Sequence, residues 1–184
     1  MIKSYSDFQR YLEADRIALG RTHQYGFMDW LMDDIWTYQR LLRKVEYYHN
    51  CVKTGMGKVM RRFLYYRLHK MAIKLSFSIP INVFGEGLSI AHYGPIIVNT
   101  KTRVGKNCRI HVGVNIGEGG EDALAPQLGD NCYLGPGAKL FGDIVLGDHV
   151  KVGANAVVNK SFPEGNCTLV GVPAHKIERC EQAG

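Results

Sequence analysis

A chain of 184 residues fits one domain with an appendage, or two small domains. With 46% hydrophobic and 22% charged residues it reads as soluble and globular, and its short, interrupted apolar runs exclude a bilayer span. The net charge of +6 admits an anionic partner, although a solvated basic face is the commoner use of such charge.

The first residues, Met1 to Asp7, lack the apolar core of a secretory signal, which predicts a cytoplasmic protein. The cysteines (Cys51, Cys108, Cys132, Cys167 and Cys180) are odd in number and contain no C-x-x-C pair. Neither a disulfide framework nor a zinc cage is indicated, and no metal is expected.

Residues 1–76 read as a small helical region. A first helix is capped by Ser6 or Asp7, carries Phe8, Tyr11, Leu12, Ile17 and Leu19, and ends at Gly20. A second spans residues 27–51, with Trp30, Leu31, Ile35, Tyr38, Leu41, Leu42 and Val45 at helical spacing. The stretch from Thr54 to Gly57 breaks it. A third spans residues 58–75 and is studded with Lys58, Arg61, Arg62, Arg67, Lys70 and Lys74. Such cations suit solvent, partner acids such as Asp33 and Asp34, or peripheral contact with the inner membrane surface. Ser78-Ile79-Pro80 closes the helical part, because the residue before proline avoids helix.

Over residues 77–178 the period becomes six. Aliphatics recur at Val98, Val104, Ile110 and Ile116, then at Leu128, Leu134, Leu140, Leu146, Val152 and Val158. Phe84 and Ile90 share the spacing, with a two-residue shift before Val98. Glycine often follows the aliphatic, and a small or apolar residue such as Cys108, Val114, Cys132 or Ala138 stands four places on. Six matches neither the period of a helix nor that of a strand, but it matches a triangular solenoid with one hexapeptide per side. Cys108 and Cys132 then fall inside as small hydrophobes. Residues 179–184 form a tail. Stacked by phase, Ile90, Ile110, Leu134 and Val152 share a face, and the edge above His92 carries Val112, Gly137 and Asn155. Small residues along that edge would leave room for a long thin ligand.

These repeats resemble the hexapeptide acyltransferase superfamily, whose fold is the left-handed parallel β-helix. The segments Ser89-Ile90-Ala91-His92-Tyr93-Gly94 and Gly171-Val172-Pro173-Ala174-His175-Lys176-Ile177 resemble the serine acetyltransferase branch. The resemblance implies a mainly β chain with acetyl-CoA as co-substrate. It also implies a homotrimer with active sites between neighbouring β-helices, the pairing of trimers being left open, and no nucleic-acid partner. His92 would be the general base that takes the proton of an acceptor hydroxyl. His111 stands one coil above and would orient it or touch the acceptor. Asn115 or backbone N–H groups would meet the oxyanion. Gly117, Pro136, Gly137, Ala154 and Pro173 are the residues expected along CoA, and Lys160 and Lys176 those expected at its phosphates.

The chain departs from that branch where serine would be held. Phe77 and Ala91 stand where aspartates are expected, Leu124 and Ala125 where an arginine–histidine pair is expected, and the loop from Glu118 to Gln127 is about two residues shorter. A zwitterion needs charged or strongly hydrogen-bonding partners. These losses point to a sugar hydroxyl as acceptor, free or lipid-linked, as in O-acetyltransferases of polysaccharide synthesis. Asn82, Glu86, His92 and Tyr93 would hold it, with Glu86 replacing the missing carboxylate. Serine O-acetylation in cysteine synthesis is the alternative. A zinc hydratase and a non-catalytic scaffold are weaker readings.

Overall fold

Side-chain caps decide where the helices start. Ser4 Oγ accepts from the Asp7 N–H at 3.0 Å, upstream of the expected Ser6 or Asp7, and opens α1 (Tyr5–Ala18). In this computed structural model, which describes residues 1–22, 26–120 and 124–177, the expected second helix is two. Asp33 leaves helical geometry between α2 (Phe27–Met32) and α3 (Asp34–Asn50), and its carboxylate accepts from the Trp36 N–H at 3.0 Å. Thr54 caps α4 (Gly55–Leu75), so the Gly55-Met56-Gly57 run begins this helix instead of breaking the chain. Ser76 ends it in the left-handed conformation. Cys180 and the tail at 179–184 lie outside the described residues.

Strands begin at β1 (Phe77–Ser78) and wind into three parallel sheets. The first sheet stacks β1, β3 (Ile96–Val98), β6 (Asn115–Gly117), β9 (Lys139–Phe141) and β12 (Val157–Val158). The second stacks β4 (Arg103–Val104), β7 (Gln127–Leu128) and β10 (Val145–Leu146), extended by bridges from Phe84 to Val104 and from Leu146 to Phe162. The third stacks β2 (Ser89–Ile90), β5 (Arg109–Ile110), β8 (Tyr133–Leu134), β11 (Lys151–Val152) and β13 (Thr168–Val170). The antiparallel β14 (His175–Ile177) closes this sheet. The periodic aliphatics are the inward positions: Ile90, Ile110, Leu134 and Val152 follow one another in register and are buried.

The same column logic explains other residues. Cys108, Cys132 and Cys167 are free and buried, and burial pushes the Cys132 thiol up to about 11, which keeps it inert near neutral pH. Asn107, Asn131, His149 and Asn166 turn one corner with positive φ, a conformation that asparagine tolerates, and the Asn107 amide donates to Asn131 at 3.0 Å. Many repeat glycines serve stacking. A Cβ on Gly147 would lie 2.3 Å from the Pro163 carbonyl oxygen, and one on Gly135 would lie 2.8 Å from that of Val152.

The helices share a core with the coils, and a polar network joins them. Arg43 in α3 donates to Asp15 in α1 at 2.8 Å, to Glu46 at 3.0 Å, and to the Phe84 and Gly85 carbonyls at 2.9 and 2.6 Å. Asp15 in turn accepts from the Gly87 and Leu88 N–H groups at 2.9 and 2.8 Å. No described helix is long and apolar enough to cross a membrane.

Candidate active site

His92 occupies the corner where the chain leaves β2 in the third sheet and enters β3 in the first. Ile90 pairs with Ile110 but Val98 pairs with Ile116, so this corner holds two residues more than the one above it. The extra length raises His92 and Tyr93 out of the wall, and both are exposed. Gly94 makes the corner possible with φ 121, outside the usual range of L-residues.

Two helices hold this protruding corner. The Gly94 N–H donates to the Leu75 carbonyl at the end of α4, at 3.0 Å. Gln39 of α3 lies fully buried against the free edge of β2, where it donates to the Leu88 carbonyl at 2.8 Å and accepts from the Ile90 N–H at 3.1 Å. Its amide thus supplies the pairing that an adjacent strand would give. Gln39→Ala would leave both backbone groups buried without partners, which costs about 1–3 kcal/mol each. The expected result is a lower urea midpoint and faster amide exchange at Ile90, which exchange mass spectrometry of the segment reads directly.

His111 follows in the row above, with its ring centroid 6.0 Å from that of His92 and 5.0 Å from that of Tyr133. The two histidines are in ring contact with no hydrogen bond between them. Nε2 of His111 is buried and has no hydrogen-bond partner among the described residues. Burial first, then the charges of Arg109 and His92, hold its pKa below the ordinary histidine value, so it is neutral at pH 7. Beside His92, a neutral ring does not oppose protonation of the base.

The register corrects the row above His92. It continues through Val112, Pro136 and Ala154, while Gly137 and Asn155 sit one place further round. Pro136 and Ala154 are exposed there. Gly137 is not open space: a Cβ on it would lie 2.1 Å from Asn155 Oδ1. Gly117, by contrast, has only Asn115 Oδ1 near, at 3.7 Å from such a Cβ. Asn115 and Gly117 lie in β6 of the first sheet, around the corner from His92.

Glu86 is engaged elsewhere. Arg10 donates to it at 2.6 Å and Lys106 lies at 3.2 Å, and chiefly the Arg10 hydrogen bond holds its carboxyl below the usual range. It anchors α1 to the coils and does not meet His92 within the protomer. Asn82 likewise exchanges amide hydrogen bonds with Asn50 at 2.8 and 3.0 Å, at the junction with α3. Lys176 lines an open cavity of about 540 Å³ with His149 and Lys151 at the far end of the third sheet. Lys160 follows β12 in the first sheet, so the structure separates the two lysines. Pro173 is exposed in the turn before β14. Among the described residues no three metal-ligating side chains are gathered.

Three parallel sheets stacked at a six-residue period define a hexapeptide β-helix, and its left-handed form fits the solved neighbours. The family model "Bacterial transferase hexapeptide (six repeats)" matches residues 125–160. The chain is 36% identical over 97 residues to a serine acetyltransferase of Synechococcus elongatus, a match covering 52% of this chain and 39% of that one. It is 39% identical over 97 residues to that of Helicobacter pylori, covering 52% and 56%. The chain thus spans about half the length of the curated relatives it matches. The crystal structure of serine acetyltransferase from Brucella abortus superposes with a TM-score of 0.72 at 27% identity, over 94% of this chain and 69% of that one. The same enzyme has been crystallised in complex with coenzyme A (TM-score 0.70, 26% identity, 94% and 68% covered).

These relatives overturn the sugar acceptor and the likeness to polysaccharide O-acetyltransferases. That expectation rested on four single positions, two of them, Leu124 and Ala125, read across a loop of unequal length. Leu124 is bridged to Gly119 and Ala125 is buried, so both are used in closing the loop. Phe77 packs edge-on against Tyr38 at 5.0 Å, as part of the core. Ala125 and Phe77 are therefore held by packing, which says little about the acceptor.

Proposed function

We propose that the protein is an acetyl-CoA-dependent O-acetyltransferase whose acceptor is the hydroxyl of serine. The likeness to serine acetyltransferases over more than half of the chain carries this reading. The exposed His92 supplies the chemistry. Its neutral imidazole takes the hydroxyl proton as the oxygen attacks the thioester carbonyl. The tetrahedral intermediate then expels the CoA thiolate, and His92 returns the proton to the sulfur, leaving O-acetylserine and free CoA. Asn115 donates to the oxyanion, and the site is completed at the groove between neighbouring β-helices of a homotrimer. Pro136 and Ala154, exposed along the His92 row, suit the pantetheine arm, and Lys176 with Lys151 suits the phosphates of CoA. The enzyme acts in the cytoplasm.

The test is to mix the protein with acetyl-CoA and serine and follow free thiol. Thiol release that depends on serine, with O-acetylserine recovered by mass spectrometry, is the expected result. Release no faster than with acetyl-CoA alone would refute the acceptor.

A further inference from the structure

Helix α4 is apolar on two opposite sides. Gly57, Leu64, Leu68 and Leu75 face the core. On the other side Val59, Phe63, Tyr66 and Ile73 recur at i, i+4, i+7 and i+14, and all are more than half exposed, as is Met56 at the start of the helix. Helical geometry sets cations around this stripe. Arg67 and Lys74 lie along one edge, Arg62 and Lys58 along the other, and Lys70 within it. With Arg61, α4 carries six Lys or Arg and no Asp or Glu, a charge equal to the +6 of the whole chain. Lys74 also pairs with Asp34 of α3 at 2.7 Å, which fixes the C-terminal end of α4 against the start of α3. Near that end, α2 adds Leu31 and Met32, also more than half exposed.

We propose that this face of α4 is a docking surface for an anionic lipid bilayer, with the helix lying in the plane of the interface. An apolar stripe flanked by Lys and Arg is what such a surface selects. The side chains at Val59, Phe63 and Ile73 enter the acyl boundary, Tyr66 sits at the headgroup level, and the cations meet lipid phosphates. A second copy of the chain is a poor occupant, because two such faces would oppose five cations to five, only Lys74 of them offset by a neighbouring acid, Asp34. The proposal goes beyond the acetyl transfer above and does not depend on it.

Flotation with phosphatidylcholine vesicles, with and without phosphatidylglycerol, tests it. The full chain is expected to float with the anionic vesicles only, and less so at high salt. Phe63→Ala/Tyr66→Ala/Ile73→Ala is expected to bind these vesicles at least tenfold more weakly, with circular dichroism and melting temperature unchanged. Arg62→Glu/Lys70→Glu is expected to abolish flotation. Failure of the unmodified chain to float with anionic vesicles overturns the proposal, as does a triple variant that binds like the parent. A triple variant whose assembly shrinks in sedimentation also overturns it, since the stripe would then be a contact between copies.

Discussion

His92→Ala is expected to lower the rate of acetyl transfer by about 10²–10⁴-fold, the usual worth of a positioned general base. The loss should fall on kcat. KM for acetyl-CoA should change little, because the expected thioester contacts come from other residues. Melting temperature should hold, because the imidazole is exposed and its corner is fixed by main-chain atoms: Gly94 to Leu75, and β2 to Gln39. Thiol release under saturating serine, with a thermal melt of the same preparation, separates the two effects. A variant that turns over at the parent rate removes His92 from the reaction. His111→Ala should cost less. Its neutral ring stands beside that of His92 without a hydrogen bond, which is why the smaller loss is expected.

The coils were legible because each inward position repeats a demand that steric contact imposes on every turn. Val104, Leu128 and Leu146 must all fill one face of the same prism, so phase alone assigned them to one column. The extra length of the His92 corner was also visible, as the shift before Val98. The helical part was less legible for a physical reason. Gln39, Arg43 and Glu46 recur at i, i+4 and i+7, a polar stripe that periodicity normally assigns to solvent. Here all three are buried, because the first coil of a β-helix presents an edge of unpaired N–H and C=O groups that must be covered. A sequence pattern distinguishes apolar from polar faces, but it does not say whether a polar face meets water or backbone. Glu86 shows the converse. As a carboxylate in the coil of His92 it could stand in for the acid missing beside the histidine, while its partners Arg10 and Lys106 come from α1 and the next coil.

Asp15→Ala is expected to be the most damaging single change to stability, at about 3–5 kcal/mol, the cost of leaving a buried charge without its partner. Arg43 and Asp15 are both fully buried. Burial disfavours the guanidinium charge, and the Asp15 and Glu46 carboxylates reverse this, so the Arg43 pKa is raised overall. Removing Asp15 leaves that cation with Glu46 as its one carboxylate partner among the described residues, and leaves the Gly87 and Leu88 N–H groups without an acceptor. Urea unfolding should show the loss, and 0.5 M salt should change it little, because buried pairs are poorly screened. Asp15→Ala/Arg43→Met should recover part of the loss and no more. It removes the orphaned cation, but Glu46 then stays buried, with only the Asn82 N–H on its other oxygen at 2.7 Å. Because the network bonds the main chain from Phe84 to Leu88, its rupture should also loosen the strand that ends two residues before His92. Acetyl transfer should therefore fall in the single variant at temperatures where the upper coils remain folded.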